Sequence, residues 1–319
     1  MAAADDPRRS ADPRAAPTWR WPISAVVVAL MGAIGVQLFR SFDDASFSRL
    51  SASILIVTVC VQFLSQLFFN EAMLLPLRPH LENLRFWEFF IVRTGGTFVG
   101  LLIPVAGSIG VRLAYLRRQG LAYSDFTRAT VLSNVAAFSA AAALTAAATG
   151  ALWMIAGTAP ALVLGLSAGG LLLSVAAWVG FERFPRHAGP RLRRWPWLSA
   201  MGGDQASRRV MIRAFGLSLA RHGLNFATFG LLYGALSGSS GAFLTGGLVY
   251  AVTSPVRMVN ITPGNLGINE WVVAIAGRGV AFDVTTGLIV ALLFRAVTFV
   301  AQGAGVLVGS AWLAFRSRS

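Results

Sequence analysis

Residues 93–112 read RTGGTFVGLLIPVAGSIGVR, and the reading of this stretch decides the fold. It is apolar enough to enter hydrocarbon, yet Pro104 stands in its middle and glycines crowd both sides. Such breaks free backbone groups that only protein or water can satisfy at membrane depth. The stretch therefore reads as a hairpin that dips into the bilayer and returns. Residues 254–271, SPVRMVNITPGNLGINEW, repeat the device. There a proline, Pro263, precedes Gly264-Asn265-Leu266-Gly267-Ile268, as Pro104 precedes Gly107-Ser108-Ile109-Gly110-Val111.

The two hairpins occupy apolar segments 86–111 and 242–277. Six more segments lie at 22–39, 50–69, 129–156, 160–181, 211–236 and 284–315. Each approaches or exceeds the roughly 20 residues that cross a bilayer. Hydrophobic residues make up 55% of the 319 and charged residues only 13%, with no charge between Arg128 and Glu182. A soluble domain of this size does not bury so large an apolar core. The fold class is thus all-α, a polytopic membrane helix bundle. Residues 1–20, rich in Ala, Pro, Asp and Arg without periodicity, are expected to be a disordered cytoplasmic tail. Residues 21–316 form one transmembrane domain with a basic cytoplasmic loop at 182–210.

All 27 basic residues are Arg, against 13 acids, for a net charge of +14. In so apolar a chain the excess reflects the loading of cytoplasmic loops with Arg rather than nucleic-acid binding. If all eight segments crossed, the basic stretch 183–213 would lie outside and the bias would invert. Letting the two broken segments re-enter places 20 Arg inside and three outside. Six crossings plus two re-entrant hairpins follow, in the inner (plasma) membrane with both termini cytoplasmic. One hairpin then enters from each side, an inverted repeat of the kind that marks a central transport site.

Charge at membrane depth is costly, so Arg93, Arg257, Glu270 and Arg295 each need a partner or a water-filled cavity. Glu270 pairs with Arg257 or Arg295, or meets substrate. Glycine-rich breaks expose N–H groups that suit a phosphate, and a guanidinium adds a two-pronged contact. Arg112 and Arg257 are the candidates for that contact, although Arg112 also reads as an ordinary boundary arginine. Gln62, Gln66 and Asn70, four residues apart, form one polar stripe for interhelical hydrogen bonds or a cavity wall. Arg191, Arg193 and Arg194 with Trp195 and Trp197 read as an inner-leaflet surface.

No catalytic constellation is legible. Acids are few, the pair Asp43-Asp44 has no second cluster to hold magnesium, and His80, His187 and His222 lack ligand spacing. No metal or cofactor is expected. Cys60, the single cysteine, forms no disulfide within the chain and reads as a small buried apolar residue.

The motifs TPGNLGINE at 262–270 and LIPVAGSIGVRLAYLRRQG at 102–120, with an Arg in the last helix, resemble the lysylphosphatidylglycerol synthase transmembrane domain family of flippase-like proteins. The family's Pro-Gly-Gly-x-Gly and following Glu are matched by Pro263, Gly264, Gly267 and Glu270, with Asn265 in place of the middle Gly. In the first motif Ser108 interrupts the Gly pair while Gly107, Gly110 and Arg112 keep the pattern. No aminoacyl-transferase domain appears in this sequence, so the resemblance implies translocation of an anionic phospholipid or polyprenyl-linked glycolipid rather than its synthesis. The expected partners are such a lipid or lipid-linked precursor and an envelope-synthesis enzyme. The rival readings are a membrane-embedded glycosyl or phosphoryl transferase and a structural subunit that recruits such enzymes.

Overall fold

The computed structural model describes residues 50–81, 84–102, 106–157, 161–187, 205–238, 241–257, 268–278 and 284–316. The N-terminal tail, segment 22–39 and most of the basic loop, including Arg191, Arg193 and Arg194, lie outside the described residues. Among the described residues every element is helical. In chain order they are α1 (Ala52–Leu74), α2 (Phe86–Leu102), α3 (Ala106–Arg118), α4 (Tyr123–Ala156), α5 (Ala161–His187), α6 (Gln205–Ser237), α7 (Ala242–Arg257), α8 (Ile268–Arg278) and α9 (Val284–Arg316).

Local chemistry sets several of the ends. Ser51, with extended backbone, accepts the Ile54 N–H on its hydroxyl and starts α1. Gly157 ends α4 in the left-handed region at φ 68°, its N–H reaching the Trp153 carbonyl, a geometry that only glycine adopts without cost. Helix α5 runs on to His187 and α6 begins at Gln205, so both extend into the stretch read as loop 182–210. The physical reason is that Arg208, Arg209 and Arg213 are good helix formers, and their charge marks an interface rather than a break.

Among the described residues three helices, Ala52–Leu74, Tyr123–Met154 and Val284–Arg316, are long and apolar enough to cross a membrane. Helix α6 has 33 residues, about 50 Å of rise, and carries Arg221, His222 and Asn225 within its apolar stretch. It is central, packing against α1, α4, α7 and α9. Phe229 and Leu232 from α6, Val249 and Tyr250 from α7, Val273 from α8 and Phe294 from α9 make one apolar cluster around it. Helix α4 meets its neighbours through alanines and hydroxyls; Thr145 donates to the Ala251 carbonyl of α7 at 2.6 Å. Small side chains let helices approach where no water drives them together.

The burial pattern identifies the solvent. On α1 the inward residues are polar, with Thr58, Ser65 and Asn70 all fully buried, while Ile56 is 63% exposed. On α5 and α9, Leu172 and Leu307 are more exposed still. In water this arrangement inverts the usual rule, and in lipid it obeys it. Cys60 belongs to the outward set, which corrects the buried reading; it is exposed on the apolar side of α1. Apolar residues on a lipid-facing helix need no core, so apolarity alone did not place this side chain.

Each of the two segments read as broken contributes two helices to the described residues. Helices α2 and α3, of 17 and 13 residues, are joined across residues 103–105 and pack along each other. The pairing is antiparallel, because Gly96 and Gly100 face Ser108 while Gly107 faces Val99. Helices α7 and α8, of 16 and 11 residues, flank residues 258–267 and also touch.

Candidate functional site

The stripe Gln62, Gln66 and Asn70 on α1 is the spine of a buried polar interior. Gln62 donates to Thr298 of α9 at 3.0 Å, and Gln302 of α9 donates to Gln66 at 3.3 Å. Asn70 donates to the Phe86 carbonyl at 3.2 Å, tying the end of α1 to the start of α2. Interhelical hydrogen bonding, one of the two uses read from the spacing, is what these side chains do. Each such bond contributes roughly 0.6 kcal/mol within a membrane.

Arg93, on α2, is driven into this spine and is only 3% exposed. Its Nε donates to Asn70 Oδ1 and an Nη to Gln66 Oε1, both at 3.2 Å. The guanidinium also lies 4.7 Å from the centre of the Phe69 ring and 5.2 Å from that of Phe90. All these partners are neutral. They solvate the charge without cancelling it.

Arg221, on α6, stands over the same Phe69 ring at 3.6 Å, and its buried Nε has no hydrogen-bond partner among the described residues. Arg112, on α3, donates to the Ser108 carbonyl one turn back at 3.1 Å and reaches Met73 Sδ at 3.7 Å. Met73 lies one turn along α1 from Phe69, the ring that Arg93 and Arg221 share. Among the described residues no carboxylate pairs with any of the three. The nearby acids are taken elsewhere: Glu71 by Arg78 at 2.8 Å and Glu88 by the Tyr115 hydroxyl at 3.3 Å.

Next to Arg221 the polar lining continues through α6 and α7. Ser65 donates to Asn225 at 2.7 Å, and Asn225 and His222 Nδ1 each contact the Tyr250 hydroxyl at 2.8 Å. Phe229 and Phe294 pack on the Tyr250 ring, with centroids 5.5 and 5.9 Å away.

The second charged centre is an ion pair. Glu270 in the first turn of α8 meets Arg295 of α9 at 2.9 Å, with side chains only 8% and 12% exposed. Of the two partners read for Glu270, the described one is Arg295. Arg295, Thr298 and Gln302 are spaced three and four apart, so they share one face of α9. Hydrogen bonds from Thr298 and Gln302 to α1 therefore link the two charged centres along that face, about 10 Å of helix rise from Arg295 to Gln302.

The remaining candidates divide by surroundings. A Cβ at Gly107 would sit 2.8 Å from the Val99 carbonyl oxygen, so this glycine permits the close approach of α2 and α3. Gly110 has open space around it and is exposed. Arg257 closes α7; its side chain, with Pro263, Gly264, Asn265 and Gly267, lies outside the described residues. Arg221, Phe69 and Tyr250 were not singled out from sequence as site residues. A signal for the first existed, since Arg221, Asn225 and Thr228 repeat the helical polar spacing of the α1 stripe.

A family model described as the lysylphosphatidylglycerol synthase TM region matches residues 20–305, which is most of the chain. No curated protein matches it.

Proposed function

The chain belongs to the lysylphosphatidylglycerol synthase TM-region family, and from that premise we propose that this membrane protein is a flippase-like transporter of an anionic lipid, without catalytic chemistry of its own. The observation that carries the reading is the interior itself. Arg93 is buried among Gln66, Asn70 and aromatic rings in helices whose other faces are apolar. A polar lining with uncancelled positive charge at membrane depth is expensive, and an anionic headgroup moving through it offsets that expense.

The hairpins supply the gates. With α2, α3, α7 and α8 at 17, 13, 16 and 11 residues, each arm falls short of the roughly 20 that cross hydrocarbon. They re-enter from opposite faces between six crossings, with both termini cytoplasmic in the plasma membrane. The headgroup passes along the lining while acyl chains stay in lipid, and the Glu270–Arg295 pair fastens the second hairpin to α9. The driving force is a gradient or consumption of the product.

Cysteine accessibility in intact cells tests this arrangement, with Cys60 replaced by Ala and single cysteines at Ser108, Ser199 and Asn265. Labelling of the first two from inside only, and of the third from outside, supports opposed gates. Labelling of the Ser199 position from outside overturns the topology and the gate mechanism with it.

A further inference from the structure

The charge balance of the interior specifies more than an anion. Arg93 and Arg221, from α2 and α6, share the Phe69 ring of α1, and Arg112, from α3, reaches Met73 one turn further along α1; among the described residues no carboxylate pairs with any of the three. Glu270 is committed to Arg295 and does not serve them. Three guanidiniums that stay protonated hold three positive charges in a low-dielectric interior. A phosphodiester lipid brings one negative charge and leaves two of the three uncompensated. A phosphomonoester, whose second ionisation lies near pH 6, brings close to two and three strong acceptor oxygens.

The donor geometry agrees. Arg93 has two of its five N–H groups engaged by Asn70 and Gln66, and Arg221 has its Nε unpartnered and its guanidinium laid flat on Phe69. A ring that holds two cations fixes their planes without consuming their donors. Arg112 donates to a backbone carbonyl and a thioether, neither of which is a counter-ion.

We propose that Arg93, Arg112 and Arg221 form a subsite, assembled around Phe69, for the dianionic phosphate of a lipid phosphomonoester. This assignment rests on the lipid-transport reading for the lipid as source of the phosphate, and it names the headgroup class. Without ligand the subsite is a cluster of mutually repelling charges, so removing one stabilises the empty protein while weakening the filled one. A purely structural arginine behaves in the opposite way.

The test titrates purified full-length protein in detergent with dioctanoyl phosphatidate, dioctanoyl phosphatidylglycerol and inorganic phosphate, reading the thermal midpoint. Phosphatidate is expected to bind roughly tenfold or more tighter than phosphatidylglycerol, the worth of one charge-assisted contact. Arg221→Gln is expected to raise the ligand-free midpoint and abolish that preference. Arg112→Gln, at a half-buried position, repeats the measurement should Arg221→Gln fail to fold. Equal binding of the two lipids, or an unchanged preference in the variants, overturns the subsite. An equal response to inorganic phosphate overturns the lipid as its source. If lipids cross reconstituted vesicles but monoester and diester bind alike, this inference alone fails. If phosphatidate binds with the stated preference and nothing crosses, the transport reading fails and the subsite stands.

Discussion

Gly107→Ala and Gly110→Ala place one methyl group at two points of the same helix and should have opposite consequences. At Gly107 the new Cβ would meet the Val99 carbonyl oxygen at 2.8 Å, the Val99 carbon at 3.0 Å and the Gly100 nitrogen at 3.1 Å. All three are backbone atoms of the facing arm, so no rotamer change relieves them. Reaching ordinary contact requires the arms to part by about 0.6 Å, and overpacking of this kind costs about 1–3 kcal/mol. At Gly110 nothing lies within 4 Å. Alanine's better helix propensity then operates alone, worth up to about 1 kcal/mol. The difference between the two variants isolates the close approach. In detergent-solubilised protein it should appear as an apparent midpoint lower by roughly 2–10 °C for Gly107→Ala. Equal midpoints, or a lower one for Gly110→Ala, would refute the packing of α2 against α3 argued from these distances.

Other substitutions probe the charged and polar interior. Glu270→Gln leaves Arg295 buried without its counter-charge and should destabilise by about 3–5 kcal/mol; the Glu270→Gln/Arg295→Gln pair should be less damaged than the two single effects summed, and strict additivity in thermal unfolding would exclude the pair as a unit. Asn70→Leu removes the acceptor of Arg93 Nε and the donor to the Phe86 carbonyl. A loss of about 1.5–3 kcal/mol is expected, and a neutral result would mean that Gln66 and the two rings hold Arg93 without Asn70. Cys60 should react with a membrane-permeant maleimide in folded protein, where a buried thiol would wait for denaturant.

Much of this was legible because membrane sequences wear their solvent on the outside. Polar spacing at Gln62, Gln66 and Asn70 read directly as interhelical bonding, since a polar side chain that faces lipid has no partner and must turn inward. Pro104 and the run around Pro263 marked the two breaks because backbone groups freed by proline cannot be left in hydrocarbon. The ends of α5 and α6 were not legible from charge, because Arg marks an interface and a loop alike. Arg221 was passed over for a related reason: it is one arginine in a long apolar run, and only its meeting with Phe69 and Arg93, 128 residues earlier in the chain, makes it informative. Pairing across such separations is a property of the packed bundle, not of spacing. The meeting of Glu270 with Arg295 belongs to the same class, since it joins two helices and only the packed bundle brings the two side chains together.

Reconstituted vesicles show whether the interior serves as a headgroup path. Lipids with a fluorescent acyl label and an anionic headgroup are placed in both leaflets, and the label outside is reduced by a membrane-impermeant reductant. Protein-containing vesicles should lose fluorescence beyond the outer-leaflet half, and Arg93→Gln should slow that loss at least about tenfold, the worth of one charge-assisted contact. Loss no greater than in empty vesicles, for every anionic lipid tried, would contradict the account.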